Sequence, residues 1–179
     1  MEYNVYRMSN VSKCARALYM EHYHGKAPID SETQKRFDDG IAIHETIQNK
    51  YLCEYENSVK EFAVEISCNG FIITGHIDLI LQNFVVEIKS IKTMVKNPLN
   101  DHIAQINLYM HAANIKNGCL LYYAKDTKQQ LLFPVRYSRN MAFEDIGYFE
   151  MLYHSITRKH IPNCSCIPNF KHYHCKTIT

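Results

Sequence analysis

Apolar and polar positions change period along the chain, and each change marks an element. From 9 to 24 the apolar residues recur at helical spacing. The pattern opens near Ser9 or Ser12 and stops before Gly25. Residues 25–33, with Pro28 and Asp30, predict a loop. A longer helix is expected over about 34–55, where Phe37, Ile41, His44, Gln48, Tyr51 and Tyr55 step by four and three. One face carries them all, so His44 should point inward. The period then falls to two. Residues 61–68 alternate, Asn69-Gly70 predicts a hairpin, and 71–80 returns as a strand. A third strand is expected over 84–90, which makes a meander. A helix over about 99–114 follows Pro98, capped by Asn97 or Asn100. Strands over 119–124 and 130–136 come next, then a helix over 141–158. Residues 160–179 lack helical period and hold Cys164, Cys166 and Cys175. The order predicts an α/β fold, with a central mixed sheet flanked by helices.

Length and composition narrow this only a little. The 179 residues suit one domain spanning 1–179, and 46% apolar residues exclude a disordered chain. A formal charge of +2 excludes a bulk cationic coat for nucleic acid, though not a local patch. Seven cysteines cannot all pair within the chain. The opening residues Met1-Glu2-Tyr3-Asn4 lack the cationic and apolar stretches of a secretory leader. No apolar run approaches the roughly 18 residues of a membrane span. An intracellular, cytoplasmic protein with no membrane partner is therefore expected. In that setting clustered cysteines suggest metal binding or catalysis.

The chemistry concentrates in Gly75-His76-Ile77-Asp78 and Glu87-Ile88-Lys89-Ser90. Alternation puts Val85, Glu87 and Lys89 on one strand face, and Phe84, Val86 and Ile88 on the other. Two acids and a lysine inside apolar strands are costly unless paired or bound to metal. A hairpin could bring Asp78 beside Glu87. Convergent carboxylates then offer hard oxygen ligands to Mg²⁺ or Mn²⁺, with the Ile88 carbonyl as a further ligand. Such an ion polarises a phosphodiester and acidifies a water. The plainer alternatives are a buried acid–lysine pair or an exposed Glu–Lys edge, and His76 as a polar residue near a strand end. His44 follows Gly40 by one turn on the long helix. Gln105 and Tyr109 lie one turn apart on the helix after the Glu-Ile-Lys strand.

The series His44, Asp78, Glu87-Ile88-Lys89 and Gln105-x-x-x-Tyr109 resembles the PD-(D/E)XK nuclease superfamily, and within it the RecB-like branch. The resemblance implies a restriction-endonuclease-like core, over about 34–158. It implies His44, Asp78, Glu87 and Ile88 at the metal, Lys89 as the catalytic lysine, and Gln105 and Tyr109 as a supporting motif near DNA. Cys14, within Cys14-Ala15-Arg16-Ala17-Leu18-Tyr19, resembles the N-terminal segment of iron–sulfur members. With Cys164, Cys166 and Cys175 it matches the small CRISPR-associated exonucleases. That implies a [4Fe–4S] clasp, with zinc as the runner-up, joining elements at about 9–24 and 160–179. The tail departs from the family pattern: one residue separates Cys164 from Cys166, where the family has two. His172 or His174 could substitute for one of them. Cys53, Cys68 and Cys119 are expected as buried thiols.

The resemblance implies a metal-dependent exonuclease on single-stranded or frayed DNA ends, cutting 5′→3′. In a CRISPR setting it would trim prespacers beside the integrase complex, with homo-oligomerisation left open. Lys13, Arg16, Lys89, Lys92, Lys96 and Lys125 are candidate phosphate contacts, and Tyr6, Tyr19, Tyr23 and Tyr109 candidate stacking residues. Three alternatives stay open: a viral or mobile-element recombination or repair nuclease, a restriction-type endonuclease, and a non-catalytic iron–sulfur DNA-binding module.

Overall fold

A central mixed sheet organises the molecule, and one of its strands divides an edge between two neighbours. The computed structural model describes residues 4–166. Its strands are β1 (Asn4–Arg7), β2 (Ser58–Ser67), β3 (Phe71–Leu81), β4 (Phe84–Ile91), β5 (Asn117–Ala124) and β6 (Gln130–Arg136). Its helices are α1 (Ala15–His24), α2 (Ser31–Glu54), α3 (Asn100–Ala112) and α4 (Arg139–Thr157). A 3-10 turn, Met8–Asn10, links β1 towards α1. The expected meander β2–β3–β4 is present and antiparallel throughout. β5 joins β4 in parallel after the α3 crossover, and β6 pairs antiparallel with β5. Among the described residues, no helix is long and apolar enough to cross a membrane.

β3 pairs with β2 along one edge, from Ser58↔Leu81 to Ser67↔Ile72. Its other edge meets β1 in parallel at Phe71–Thr74, then β4 only at Leu79–Leu81. Gly75 to Asp78 therefore face a gap on that edge among the described residues. The gap is where β3 and β4 splay apart.

Two apolar layers hold the sheet. On one face α2 contributes Ile47, which packs with Leu79, Val86, Ile88 and Leu121. On the other, α1, α3 and α4 cover Ile73, Ile77, Val85, Leu120 and Tyr122 with Leu18, Ile106, Phe149 and Leu152. Each such side chain contributes about 1.5–3 kcal/mol by leaving water. Strict alternation would keep Ile77 and Leu79 on one face. They lie in opposite layers, so the alternation breaks at Asp78.

Several element ends differ from the sequence expectation for local reasons. The four-residue β1 carries no readable period, and its parallel partner lies more than 60 residues away. α1 starts at Ala15, with Cys14 as its extended N-cap residue. α2 starts at Ser31 because Asp30 accepts the Thr33 N–H at 2.6 Å. α3 is preceded by Leu99, whose N–H donates to the Tyr122 hydroxyl, and neither Asn97 nor Asn100 caps it. Along α2 only Ile47 and Gln48 are buried, while Phe37 and Ile41 are 53% and 59% exposed. The first half of α2 flanks a cleft, so its apolar face lacks the cover that the period predicted. Cys53 is exposed, and Cys68 and Cys119 are half-buried rather than buried.

Candidate active site

The sheet gap brings together the carboxylates that the sequence separates. Asp78 turns towards α2, and its Oδ2 accepts the Ile88 N–H at 2.6 Å. The carboxylate thus takes the place of a strand partner where β3–β4 pairing has stopped. A residue's N–H and C=O project to the same strand edge, so the Ile88 carbonyl faces the gap too. His44 Nδ1 lies 3.5 Å from Asp78 Oδ1. Gly40, one turn earlier, lets α2 approach β4: a Cβ there would come within 3.3 Å of Ser90 Oγ.

Glu87 occupies the other side of the gap and is 3% exposed. Its Oε1 accepts from Lys89 Nζ at 2.8 Å and from Gln105 Nε2 at 2.9 Å. Lys89 Nζ also donates to Gln105 Oε1 at 2.7 Å, and Gln105 Nε2 donates to the Tyr109 hydroxyl at 2.9 Å. One turn of α3 therefore locks the acid and the lysine in place. The Tyr109 ring reaches this position only because residue 75 is glycine; a Cβ there would overlap it.

The electrostatics show what the cluster lacks. Burial raises the Glu87 pKa well above the carboxylate range, Asp78 raises it further, and Lys89 offsets part of the rise. Glu87 Oε2 is buried without a hydrogen-bond partner among the described residues. An orphaned carboxylate oxygen beside a second carboxylate suits a divalent cation. His44, Asp78, Glu87 and the Ile88 carbonyl form a donor set that fits Mg²⁺ or Mn²⁺. Burial also raises the Tyr109 pKa, so its hydroxyl stays protonated. Burial and Lys89 lower that of His102 to about 4, and its Nδ1 lies 2.7 Å from the Tyr122 hydroxyl.

A cleft of about 1000 Å³ opens over Asp78, lined also by His44, Gln48, Glu61, Lys92 and Lys125. Of the candidate phosphate contacts, Lys92 and Lys125 line the cleft and Lys96 does not. Tyr6, Tyr19 and Tyr109 are buried and cannot stack on bases as they stand; Tyr23 is exposed. Arg16 donates from Nε to the Pro162 carbonyl at 3.0 Å, so it fastens the chain rather than facing the cleft. Lys13 Nζ donates to Asn10 Oδ1. Sequence reasoning named Gln48 only as a helix-face residue and passed over Glu61. Gln48 Nε2 donates to Glu61 Oε1 at 2.6 Å and to the Asp78 carbonyl at 3.0 Å. A positive φ of 50° marks Glu61, and no sequence signal announces that at a non-glycine strand residue.

A second cluster lies where α1 begins. Cys14, Cys164 and Cys166 place their sulfurs within 4.8 Å of one another, Cys14 being buried. The Cys14 and Cys164 sulfurs are 4.0 Å apart, too far for a bond between them. Around this cluster Tyr148 donates to the Lys13 carbonyl, and Tyr23 to the Ile156 carbonyl. Cys175, His172 and His174 lie outside the described residues.

Comparison with known proteins agrees with the geometry. A model of the PD-(D/E)XK nuclease superfamily matches residues 43–133, half of the chain. The match spans His44, Asp78, Glu87, Lys89, Gln105 and Tyr109, and excludes the cysteine cluster. No curated protein matches the chain. Among solved structures, the alkaline exonuclease of Laribacter hongkongensis is 14% identical, with a TM-score of 0.64 over 86% of this chain and 88% of that one. The protein SSO0001 is 18% identical, with a TM-score of 0.62 over 89% and 77%. A phage-related exonuclease from Haemophilus somnus 129PT is 11% identical, with a TM-score of 0.56 over 88% and 97%. At these identities the likeness is one of fold.

Proposed function

The chain belongs to the PD-(D/E)XK nuclease superfamily, and from that premise we propose that it is a divalent-metal-dependent exonuclease acting on DNA ends. The observation that carries the reading is Glu87: a buried carboxylate with one oxygen held by Lys89 and Gln105 and the other without a hydrogen-bond partner among the described residues. Asp78, Glu87, His44 and the Ile88 carbonyl would hold Mg²⁺ or Mn²⁺, which when bound would polarise the phosphate and make a water more acidic. Lys89 Nζ, held by Glu87 and Gln105, orients the attacking water and offsets charge that develops on the phosphate. Water adds to phosphorus in line, and the bond to the leaving ester oxygen breaks. Gln105 and Tyr109 keep Lys89 and Glu87 in register. Lys92 and Lys125 grip the DNA backbone in the cleft.

Action at ends rather than at internal sites is supported by the fold shared with two proteins named as exonucleases. The Laribacter enzyme has also been crystallised in complex with dAMP. The nuclease core occupies about 34–158. Cys14, at the start of α1, and the late cysteines would hold a thiolate-bound metal centre that ties the two chain ends together. The iron–sulfur reading comes from the resemblance of Cys14 and the late cysteines. Their spacing favours a second reading. A single tetrahedral Zn²⁺, at about 2.3 Å from each sulfur, separates its thiolates by roughly 3.8 Å. A [4Fe–4S] cluster holds each thiolate on a different iron and so farther apart. A visible absorption band with iron and sulfide after anaerobic purification supports the cluster; a colourless protein with one zinc supports the other reading.

The 5′→3′ direction and the trimming of prespacers beside a CRISPR integrase complex rest on the same cysteine resemblance. Recombination or repair in a virus or mobile element fits the same site. Incubation with 5′- and 3′-labelled single-stranded DNA and Mn²⁺ reads the polarity and tests the site. Asp78→Asn and Lys89→Ala should each slow cleavage by roughly 10²-fold or more. Equal cleavage by the wild type and both variants contradicts the assignment.

A further inference from the structure

The corner where β5 begins and β6 ends carries a feature that the cleft does not use. Lys116 Nζ sits 4.1 Å from the centre of the Tyr137 ring. His111 stacks on Tyr137, with centroids 5.9 Å apart, and its Nδ1 lies 2.7 Å from the Tyr137 hydroxyl. The Phe143 ring crosses that of His111 at 69°, with centroids 5.8 Å apart. The Arg139 guanidinium lies 5.3 Å from the centre of Phe143. Two cations thus frame a run of three rings, drawn from α3, α4 and the connections beside them.

The run is fixed from beneath. The Tyr137 N–H donates to the Lys116 carbonyl at 3.0 Å. Asn107, 1% exposed, uses both ends of its amide on the Ser138 backbone, at 3.0 and 2.8 Å. The turn that sets Tyr137 and Arg139 is therefore in place before any partner arrives. Its outer surface is open: Lys116, Arg136 and Arg139 are exposed, and Phe143 is 52% exposed. Among the described residues, none of these three cations forms an ion pair with a carboxylate. Glu144 and Asp145 follow Phe143 in α4; Glu144 is exposed, and Asp145 buries its Oδ2. Burial, Lys116 and Arg139 all lower the His111 pKa, so the imidazole stays neutral and serves as a polar ring.

We propose that this corner is a second contact for single-stranded DNA, remote from the cleft, where Lys116, Arg136 and Arg139 hold backbone phosphates and Phe143 stacks on a base. The inference rests on the nuclease reading above. Unpaired cations fit a polyanion and the exposed ring fits a base, whereas an acidic peptide would leave Phe143 unused. Lys116 precedes β5, and Lys125, at the cleft, follows it, so the two stand roughly 25–30 Å apart at about 3.3 Å per residue. A long strand can occupy both places, and the corner would then retain the uncut part between cleavage events. Four stacked nucleotides, about 14 Å long, cannot reach both.

The test compares a tetranucleotide with a single strand of about thirty nucleotides, roughly 100 Å long when stacked. Binding to the full chain is read by fluorescence anisotropy without divalent ions over a range of salt, and cleavage is read separately in Mn²⁺. Lys116→Gln combined with Arg139→Gln should weaken the long strand at least tenfold and flatten the slope of log affinity against log salt by about 1.4. Phe143→Ala should weaken it about fivefold or more at unchanged slope. Both proteins should cleave the tetranucleotide at the wild-type rate and melt within a few degrees of the wild type. Wild-type affinity and slope in both overturn the corner as a DNA contact and leave the nuclease reading standing. Equal slowing on the tetranucleotide overturns it too, since the corner would then act through the cleft. Variants that lose binding of poly-glutamate but keep the long strand assign the corner to an acidic protein and overturn the proposal. A wild type that cleaves neither strand overturns the nuclease reading, while the metal-free binding still decides the corner.

Discussion

The carboxylate cleft and the cysteine cluster are two candidate metal sites among the described residues, and almost every property differs between them. The first is built from oxygens and one imidazole at a gap in the sheet, beneath an open cleft. The second is built from sulfurs packed against the start of α1. The cleft carries electrostatic tension: Glu87 is raised in pKa and one of its oxygens lacks a partner. The cysteine region is knitted by hydrogen bonds from Arg16, Tyr23 and Tyr148 across about 130–150 residues of sequence. On the proposed reading, chemistry belongs to the cleft and chain closure to the cysteine cluster. A site that must exchange substrate has to stay open. A site that joins chain ends gains most from being covered.

The largest expected effect separates the two directly. Glu87→Gln should abolish cleavage, by roughly 10³-fold or more, while the melting temperature holds or rises because the amide oxygen can still accept from Lys89 and Gln105 and no buried carboxylate has to ionise. Cys14→Ser and Cys164→Ser should do the reverse. The melting temperature should fall by roughly 10 °C or more, with the rate per folded molecule nearly unchanged. Scanning calorimetry beside single-turnover cleavage measures both. Loss of cleavage in well-folded cysteine variants would mean the clasp takes part in the chemistry.

A smaller effect is pH dependence of stability without divalent ions. Glu87 in the folded protein holds its proton to higher pH than an ordinary glutamate near 4.3. Its contribution to stability is full below that ordinary value and is lost as pH rises through the raised one. Metal-free wild type should therefore melt lower at pH 8 than at pH 5, Glu87→Gln should lose most of that slope, and Mn²⁺ should flatten it. The smallest effect lies away from both sites. The pKa of Asp145 on α4 is raised to about 6 by burial and by Glu144, and its Oδ2 is buried without a partner among the described residues. Stability from this group is present below pH ~4 and lost as pH rises through about 6. Asp145→Asn should raise the melting temperature at pH 8 by a few degrees at most and leave cleavage unchanged.

Much of this was legible in the chain. The change of period from helix to strand at 61, the Asn69-Gly70 hairpin and the acid–lysine spacing of Glu87 and Lys89 are local signals, and the structure has elements at each. Lys92 and Lys125 at the cleft follow from their place after β4 and β5. What escaped is non-local. β1 exists only because β3 leaves part of one edge open, and no four-residue window can reveal that. The exposure of Phe37 and Ile41 depends on where α2 overhangs the sheet, which its helical period does not encode. Glu61 owes its direction to a backbone angle and to Gln48, thirteen residues away. Tyr6 and Tyr19 had suitable chemistry for stacking, but core packing had already claimed them.

The central claim is that the oxygen site cuts and the sulfur site closes. Single-turnover cleavage of end-labelled single-stranded DNA in Mn²⁺, run well below the melting temperature of every variant, tests it most directly. Wild type and Cys164→Ser should cleave at rates within about threefold of each other, since a surviving fold keeps the cleft intact. Glu87→Gln should leave the label uncut over the same period. Cleavage by Glu87→Gln at the wild-type rate would contradict the account.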